Sequence, residues 1–220
     1  MKKTVFSIIT VLMILTCLCS CGKAATPSSD KGANDGTTSA TSAASTTSAD
    51  KKAEKYGIHH AEIVVKNYGT IKLELDGDTA PITVQNFVEL AKSGFYDGLT
   101  FHRIMKDFMM QGGDPDGNGT GGSDKEIKGE FAANGIDNNI SHTRGTVSMA
   151  RATPYDSASS QFFICHADST FLDGQYAAFG HVTDGMDVVD KICTKAKPTD
   201  NNGTIPAAEQ PVIEKIIITD

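Results

Sequence analysis

Short apolar runs, rich in valine, isoleucine and phenylalanine, recur between residue 58 and the C-terminus and are separated by polar or glycine-rich connections. Runs of this length and composition predict short β-strands. Ala61–Val65 and Thr70–Leu75 flank the turn-forming segment Asn67-Tyr68-Gly69, so these two runs predict a hairpin. Further strands are predicted at Leu99–Ile104, Phe108–Gln111, Thr146–Ala150, Gln161–Cys165, Ala178–Val182 and Val212–Thr219.

Two segments have helical character. The first helix is predicted to begin at Pro81, with Asp78 or Thr79 as its N-cap, and to end before Gly94. Its apolar positions follow the i, i+3, i+4, i+7 spacing of one buried face: Val84, Phe87, Val88 and Ala91. A second helix is predicted over Met186–Lys195. Many short strands with two isolated helices predict a mainly β fold, an antiparallel barrel capped at its ends by two helices.

The N-terminal residues follow a different pattern. The basic start Met1-Lys2-Lys3 precedes an apolar run over 4–16 that is too short to remain in a bilayer as a spanning helix. The following Leu18-Cys19-Ser20-Cys21-Gly22 resembles the bacterial lipobox, in which the cysteine receives a diacylglyceryl group and becomes the mature N-terminus. We expect a lipoprotein signal peptide over 1–20 and lipidation of Cys21. The alternative is an ordinary secretory signal that is cleaved nearby.

Residues 21–57 are mostly serine, threonine, alanine, glycine, aspartate and lysine. Such a segment cannot bury enough apolar surface to offset the entropy lost on ordering, so we expect a flexible linker. Its root-mean-square reach would be on the order of 30–35 Å. Residues 58–220 have the size of one domain.

The formal net charge of the chain is −7 at pH 7, and the domain contains no run of lysine and arginine. Binding to nucleic acid is therefore not expected. Cys165 and Cys193 are the cysteines that lie in the domain. A disulfide is conceivable in an exported protein, but Cys165 ends the apolar run Phe162-Phe163-Ile164-Cys165, so two separately buried thiols are expected.

Two glycine- or aspartate-rich patterns suggest ligands but lack the required context. The segment Gly117–Gly122 has the letters of a dinucleotide-binding fingerprint, yet no helical pattern follows it. The same region begins like a calcium loop at Asp114, but Lys125 occupies the twelfth position, where a glutamate is needed. His59-His60 is expected to be solvated. No cofactor or metal is expected, although weak calcium binding by the Asp114–Gly122 loop stays open.

Arginine occurs only at positions 103, 144 and 151. Arg144 is expected to form a surface salt bridge. Arg103 lies in the segment Phe101–Asp114, with the sequence FHRIMKDFMMQGGD, which closely resembles the signature of the cyclophilins. The resemblance continues, in the family's order, through Gly119–Gly122, Ser148–Ala152, Ser160–Cys165 and Phe171–Gly174. It implies a closed eight-stranded antiparallel barrel capped by two helices, in agreement with the strand pattern, and peptidyl-prolyl cis–trans isomerase activity without a cofactor.

The resemblance also implies roles for individual residues. Arg103 takes the position of the catalytic arginine. The positions that line the proline pocket are Phe108, Met109, Phe163 and Leu172. The substrate chain would be held by Gln111 and by the backbone around Arg151, with Ala150 and Gln161 beside them. Without the resemblance, the apolar residues of this set would be assigned to ordinary core packing.

Three of these positions depart from the pattern of many eukaryotic cyclophilins. Phe171 replaces a tryptophan and Tyr176 replaces a histidine, and both border the pocket. Arg151 replaces a common asparagine, and tolerance is expected because the family's contacts there are mainly with the backbone. Catalysis should survive these changes, whereas substrate preference and cyclosporin affinity stay open.

The sequence as a whole leads to one functional hypothesis. A monomeric isomerase would be anchored by lipid on the extracytoplasmic face of the cell membrane and would act on proline-containing, unfolded or partly folded exported polypeptides. The alternative is a module that binds proline-containing peptides without turnover.

Overall fold

The computed structural model describes residues 56–220. The predicted signal peptide over 1–20, the lipidation of Cys21 and nearly all of the predicted linker over 21–57 lie outside the described residues. Between Tyr56 and Asp220, no helix has the length and apolar character needed to cross a membrane.

Within residues 56–220, eight strands form one antiparallel sheet in the order β3-β4-β6-β5-β7-β2-β1-β8. Each predicted strand is present, with bounds shifted by a few residues. The strands are β1 (Ile58–Val65), β2 (Gly69–Asp76), β3 (Thr100–Met105), β4 (Met109–Asp114), β5 (Thr146–Met149), β6 (Phe162–Cys165), β7 (Ala178–Asp184) and β8 (Ile213–Ile218). The helices are α1 (Pro81–Lys92) and α2 (Met186–Lys195).

The sheet curls into a barrel, but its last seam is not a continuous ladder. Just before β3, Gly98 N–H donates to Ile213 O over 2.8 Å and Ile213 N–H donates to Leu99 O over 2.7 Å. Farther along β3, the edge is occupied by a loop, where Ile104 N–H donates to Gly203 O over 2.8 Å. The expected fold is confirmed, but "closed" overstates it, because the loop takes the hydrogen bonds that β8 would otherwise make.

Side-chain alternation along the strands fills the barrel. The inward positions of β1 and β2 are buried: Ala61, Ile63, Val65, Ile71, Leu73 and Leu75. The predicted apolar face of α1 packs on this core, with Phe87 at its centre. The Phe87 ring lies 5.3–5.4 Å from the rings of Tyr96, Phe162 and Phe179. Aromatic pairs at this spacing add to the stabilisation that burial provides.

The N-terminus of α1 is capped by a distant residue. The predicted cap, Asp78 or Thr79, is wrong, since the N-cap position is Ala80, whose side chain makes no capping hydrogen bond. Instead, the Glu130 carboxylate accepts Ile82 N–H over 3.0 Å and Thr83 N–H over 2.8 Å. Glu130 is 1% exposed. A carboxylate at this end of the helix also interacts favourably with the helix dipole.

The residues that were predicted to cap α1 are used by the preceding turn. Asp76 Oδ1 accepts Asp78 N–H over 3.0 Å and Thr79 N–H over 2.9 Å. The C-terminus of α1 follows the prediction: Gly94, at φ +75°, occupies C′, and Phe95 N–H donates to Leu90 O over 3.0 Å. This six-to-one bond and the left-handed glycine define a Schellman motif.

Cys165 and Cys193 are buried and free, which confirms the expectation of two separate thiols. Burial raises the pKa of each thiol to about 12. Arg144 Nη2 lies 2.9 Å from Asp190, which confirms the expected surface salt bridge.

Glu130→Ala should lower the free energy of unfolding by about 2–4 kcal/mol, because the first turn of α1 loses its charged acceptor and buried N–H groups stay unpaired. Urea denaturation followed by circular dichroism measures the change. Glu209→Ala, at an exposed glutamate, is the control and should change stability by less than about 0.5 kcal/mol. Equal midpoints for the two variants would contradict the capping role.

Candidate active site

A cavity of about 420 Å³ opens on the outer side of the sheet, between β3, β4, β6 and the loops that follow β5 and β6. Except for Gln161 and Phe171, all of the site residues predicted from the sequence line it: Arg103, Phe108, Met109, Gln111, Ala150, Arg151, Phe163, Leu172 and Tyr176. The structure therefore brings together residues that are far apart in the chain.

The apolar floor of the cavity is separate from the barrel core. Met109, Phe163, Cys165 and Leu172 form their own buried cluster, whereas Met110, Phe162 and Ile164 belong to the main core. Successive side chains of a strand point to opposite faces, and β4 pairs with β6 so that Gln111 faces Phe163 and Met109 faces Cys165. One face of these two strands thus fills the barrel and the other face lines the cavity.

Arg103 is half-buried on β3 and held at three points. Its Nε donates to Asn202 O over 2.8 Å and its Nη1 donates to Gln111 Oε1 over 3.1 Å. Its Nη2 lies 3.5 Å from Met105 Sδ. Burial lowers the pKa of Arg103, and the nearby Tyr176 and Asp200 raise it. A guanidinium has five N–H donors, so these contacts within residues 56–220 orient the group and leave donors for a ligand in the cavity.

Gln111 connects Arg103 to a chain of amide hydrogen bonds. Gln111 Nε2 donates to Gln161 Oε1 over 2.8 Å. Gln161 Nε2 then donates to Gly121 O over 2.7 Å and to Gly119 O over 3.2 Å. Gln161 therefore lies behind Gln111, where it lines a neighbouring cavity of about 370 Å³. This chain fixes the Gln111 side chain relative to the loop over residues 114–122.

That loop is organised by Asp114, which is 1% exposed. Its carboxylate accepts N–H groups of Asp116 and Asn118 over 2.9 and 3.0 Å, and that of Gly119 over 2.5 Å. Burial raises the pKa of Asp114, but these N–H groups outweigh it and the net pKa is lowered. The residue that began the calcium-like pattern thus binds its own loop, and residues 56–220 contain no cluster of three potential metal ligands.

The sequence analysis missed His102 as a cavity residue. The residue lines the cavity, is 4% exposed and has no hydrogen-bond partner for either ring nitrogen among residues 56–220. Burial lowers the pKa of His102, Asp114 raises it and Arg103 lowers it further. Strict alternation would place it opposite Arg103, but the register between β3 and β4 shifts between Phe101 and Arg103. A bulge redirects side chains in this way, and the sequence carries no clear signal for it. The other residues missed by the sequence analysis that line the cavity are Asn118, Gly119, Thr120, Asn202 and Thr204.

The two aromatic departures from the family pattern occupy the rim. Phe171 is 65% exposed, and its ring lies 5.6 Å from that of Phe108. It does not line the cavity itself. Tyr176 does line it, with its ring 6.0 Å from that of Phe163. The rim is therefore apolar and aromatic on this side.

The Arg151 side chain is bound to the protein rather than extended toward the cavity centre. Its Nε and Nη2 both donate to Gln175 O, over 3.0 and 2.9 Å. The guanidinium carbon lies 4.8 Å from the ring centre of Tyr176 and 5.1 Å from those of Phe131 and Tyr155. Cation–π contacts of this kind favour arginine over an amide. Arg151 thus braces Tyr176, a function that an asparagine could not supply.

Comparison with known proteins places this geometry in a family. The family model described as "Cyclophilin type peptidyl-prolyl cis-trans isomerase/CLD" matches residues 60–219. A "Peptidyl-prolyl cis-trans isomerase-like 1" of Rhizopus delemar is 50% identical over 131 residues, which are 59% of this chain and 78% of that protein. A "Peptidyl-prolyl cis-trans isomerase" of Helicobacter pylori is 49% identical over 128 residues, 57% of this chain and 76% of that protein.

A solved structure supports the same assignment. The crystal structure of a Cryptosporidium parvum cyclophilin-type peptidyl-prolyl cis–trans isomerase, determined in the presence of the dipeptide Ala-Pro, superposes with a TM-score of 0.65 at 30% identity. The match covers 73% of this chain and 99% of that one. With the motif order, the barrel and the family match all in agreement, this chain belongs to the cyclophilin-type peptidyl-prolyl cis–trans isomerases.

Proposed function

We propose that this isomerase accelerates rotation about X-Pro bonds by means of Arg103, with the proline ring seated on the floor formed by Phe108, Met109, Phe163 and Leu172. The observation that supports the proposal is the position of the guanidinium. It is held by Asn202 O and Gln111 Oε1 beside an apolar cavity.

Isomerisation requires a hydrogen-bond donor to the prolyl nitrogen and contacts that hold the substrate, but no nucleophile. Amide resonance sets a rotation barrier of about 18–20 kcal/mol, and spontaneous X-Pro exchange takes about tens to hundreds of seconds. As the bond twists, the prolyl nitrogen loses conjugation and gains a lone pair that accepts a hydrogen bond. A fixed guanidinium N–H donates to that nitrogen in the twisted state and has no comparable partner in the planar one, so it lowers the barrier.

The remaining residues position the substrate. The apolar floor holds the proline ring, while Gln111 and the backbone at Ala150 and Arg151 hold the acyl side of the bond as it rotates. The amide chain from Gln111 to Gln161 and Gly121 supports this role because it restricts the Gln111 side chain.

We also propose that the enzyme works on exported, partly folded polypeptides from the extracytoplasmic face of the membrane, as a lipid-anchored monomer. The proposal rests on the sequence over 1–57, where a short apolar signal, Cys21 and a polar linker follow one another. The linker would let the domain reach chains as they emerge, since a flexible segment of this length spans on the order of 30 Å.

Arg103→Ala should reduce turnover by about a hundredfold or more, because one pre-aimed transition-state donor is lost, while peptide affinity changes little. Arg103→Lys should recover little activity, since an ammonium is a hydrated point charge rather than a fixed fork. Exchange NMR on one Ala-Pro peptide measures both quantities. A folded alanine variant with near wild-type turnover would assign Arg103 a structural role, and a wild type that binds without turnover would support the peptide-binding module instead.

Turnover should vary by less than about twofold between about pH 6 and 8, because the guanidinium stays charged. Burial lowers the pKa of the nearby His102 below its ordinary value of 6.5. The unfolded chain takes up this proton more readily than the folded one, so stability falls as the pH drops through 6.5. Exchange rates should therefore be measured beside denaturation curves at each pH. A bell-shaped profile in folded protein would implicate His102 in proton transfer and contradict the arginine mechanism.

Cys21→Ala in the full-length chain should move the protein from the membrane fraction to the medium, because two acyl chains provide stable anchoring. Cell fractionation with immunoblotting, and mass spectrometry of the mature N-terminus, measure the effect. Cys19→Ala is the matched control and should leave the protein at the membrane. A Cys21→Ala variant that stays membrane-bound, with a wild type that carries no lipid, would contradict the anchor.

A further inference from the structure

The turn between β3 and β4 carries Phe108, one wall of the cavity, and its backbone is strained. Phe108 N–H donates to Met105 O over 3.1 Å, so Asp107 occupies the third position of the turn. The φ angle of Asp107 is +62°. Glycine usually occupies a turn position with this left-handed conformation, because a Cβ atom would be crowded by the backbone of the same residue. An aspartate at this position needs other contacts to hold it.

His166, directly after β6, supplies those contacts. Its side chain accepts Asp107 N–H at Nδ1 over 2.9 Å, and its backbone N–H donates to Phe108 O over 2.9 Å. The residue is 8% exposed. A backbone amide can only donate, so Nδ1 must be the unprotonated nitrogen of the ring. The turn is therefore held on both sides of the peptide bond that precedes Phe108.

Residues on two other segments fix the histidine in that form. His166 Nε2 lies 3.2 Å from Asp190 Oδ1, on α2, which favours the tautomer with its proton on Nε2. Asp190 is in turn held by Arg144 Nη2 over 2.9 Å, and Arg144 Nη1 donates to His166 O over 2.7 Å. A series of polar contacts therefore runs from Asp190 on α2 through the His166 ring to Asp107 N–H in the turn.

We infer that His166 is a positioning residue for the proline pocket: through Asp107 N–H it fixes the turn that determines where the Phe108 ring lies. Phe108 contacts the rim residue Phe171, and its ring centre lies 6.0 Å from the Arg103 guanidinium carbon. Movement of the turn would displace the Phe108 wall of the pocket. Arg103 would stay in place, because its backbone is paired with Gln111 of β4. The inference rests on the proposed seating of proline in this cavity.

Two amide variants of His166 distinguish the loss of the Nδ1 acceptor from the loss of the contact between Nε2 and Asp190. In His166→Asn, Oδ1 occupies the place of Nδ1 and can accept Asp107 N–H. In His166→Gln, the amide reaches the place of Nε2 instead, so the contact with Asp190 is kept and the acceptor for Asp107 is lost. The peptide Kd of His166→Gln should rise by about twofold to tenfold, the effect of one hydrogen bond. Its rate of isomerisation on the enzyme should change by less than about twofold, and His166→Asn should bind nearly as well as the wild type.

Exchange NMR on an Ala-Pro peptide, well below the melting midpoint of each variant, measures Kd and rate together. Asp107→Gly should relieve the strain, so adding His166→Gln to that background should change Kd by less than about twofold. His181→Leu, at an exposed histidine on β7, is the control and should leave both quantities unchanged.

An unchanged Kd in folded His166→Gln, or equal weakening in His166→Asn, would overturn the inference. A lower melting midpoint for His166→Gln with wild-type Kd and rate would also overturn it, because the role would then be structural only. A wild type that neither binds nor isomerises the peptide would instead contradict the proposed function, so the two failures are distinguishable.

Discussion

The pairing of β4 with β6 is the constraint on which the rest of this structure depends. In the observed register, Met110, Phe162 and Ile164 lie in the barrel core while Met109 and Phe163 lie under the cavity. A slip of one residue would exchange the two faces of a strand, because side chains alternate with a period of two. The same hydrogen-bond ladder therefore specifies the fold and the binding surface, and neither can change without the other.

Around this pair, the walls of the cavity are loops, and a polar side chain fixes each of the three described here. The Asp114 carboxylate accepts the N–H groups of Asp116, Asn118 and Gly119, and His166 holds the turn before Phe108. Arg151 lies against Tyr176 and bonds to the loop at Gln175. A buried polar group such as Asp114 or His166 costs free energy when it is unpaired and makes the surrounding loop rigid when its hydrogen bonds are complete. Because the walls of this site are loops, their positions are fixed by these polar contacts rather than by secondary structure.

Much of the fold could be predicted from the sequence, because hydrophobic periodicity and turn residues act locally. The bounds of α2 match the prediction, and Gly94 ends the α1 region as its chemistry requires. The motif order likewise indicated Arg103 and the apolar floor of the cavity, but not His102 or the loop residues that complete its walls. What local patterns could not supply were contacts between distant residues: Glu130 reaches Ile82 across 48 positions. The bulge at His102 and the loop at Gly203 that interrupts the barrel seam depend in the same way on tertiary pairing.

The two buried cysteines have a consequence for the covalent chemistry of the domain. With a thiol pKa of about 12 in each case, almost no thiolate exists near neutral pH, and the thiolate is the species that attacks disulfides and reacts with oxidants. The domain can therefore keep one covalent form in reducing and oxidising surroundings alike. Neither thiol is therefore suited to disulfide exchange with the cysteines of another polypeptide.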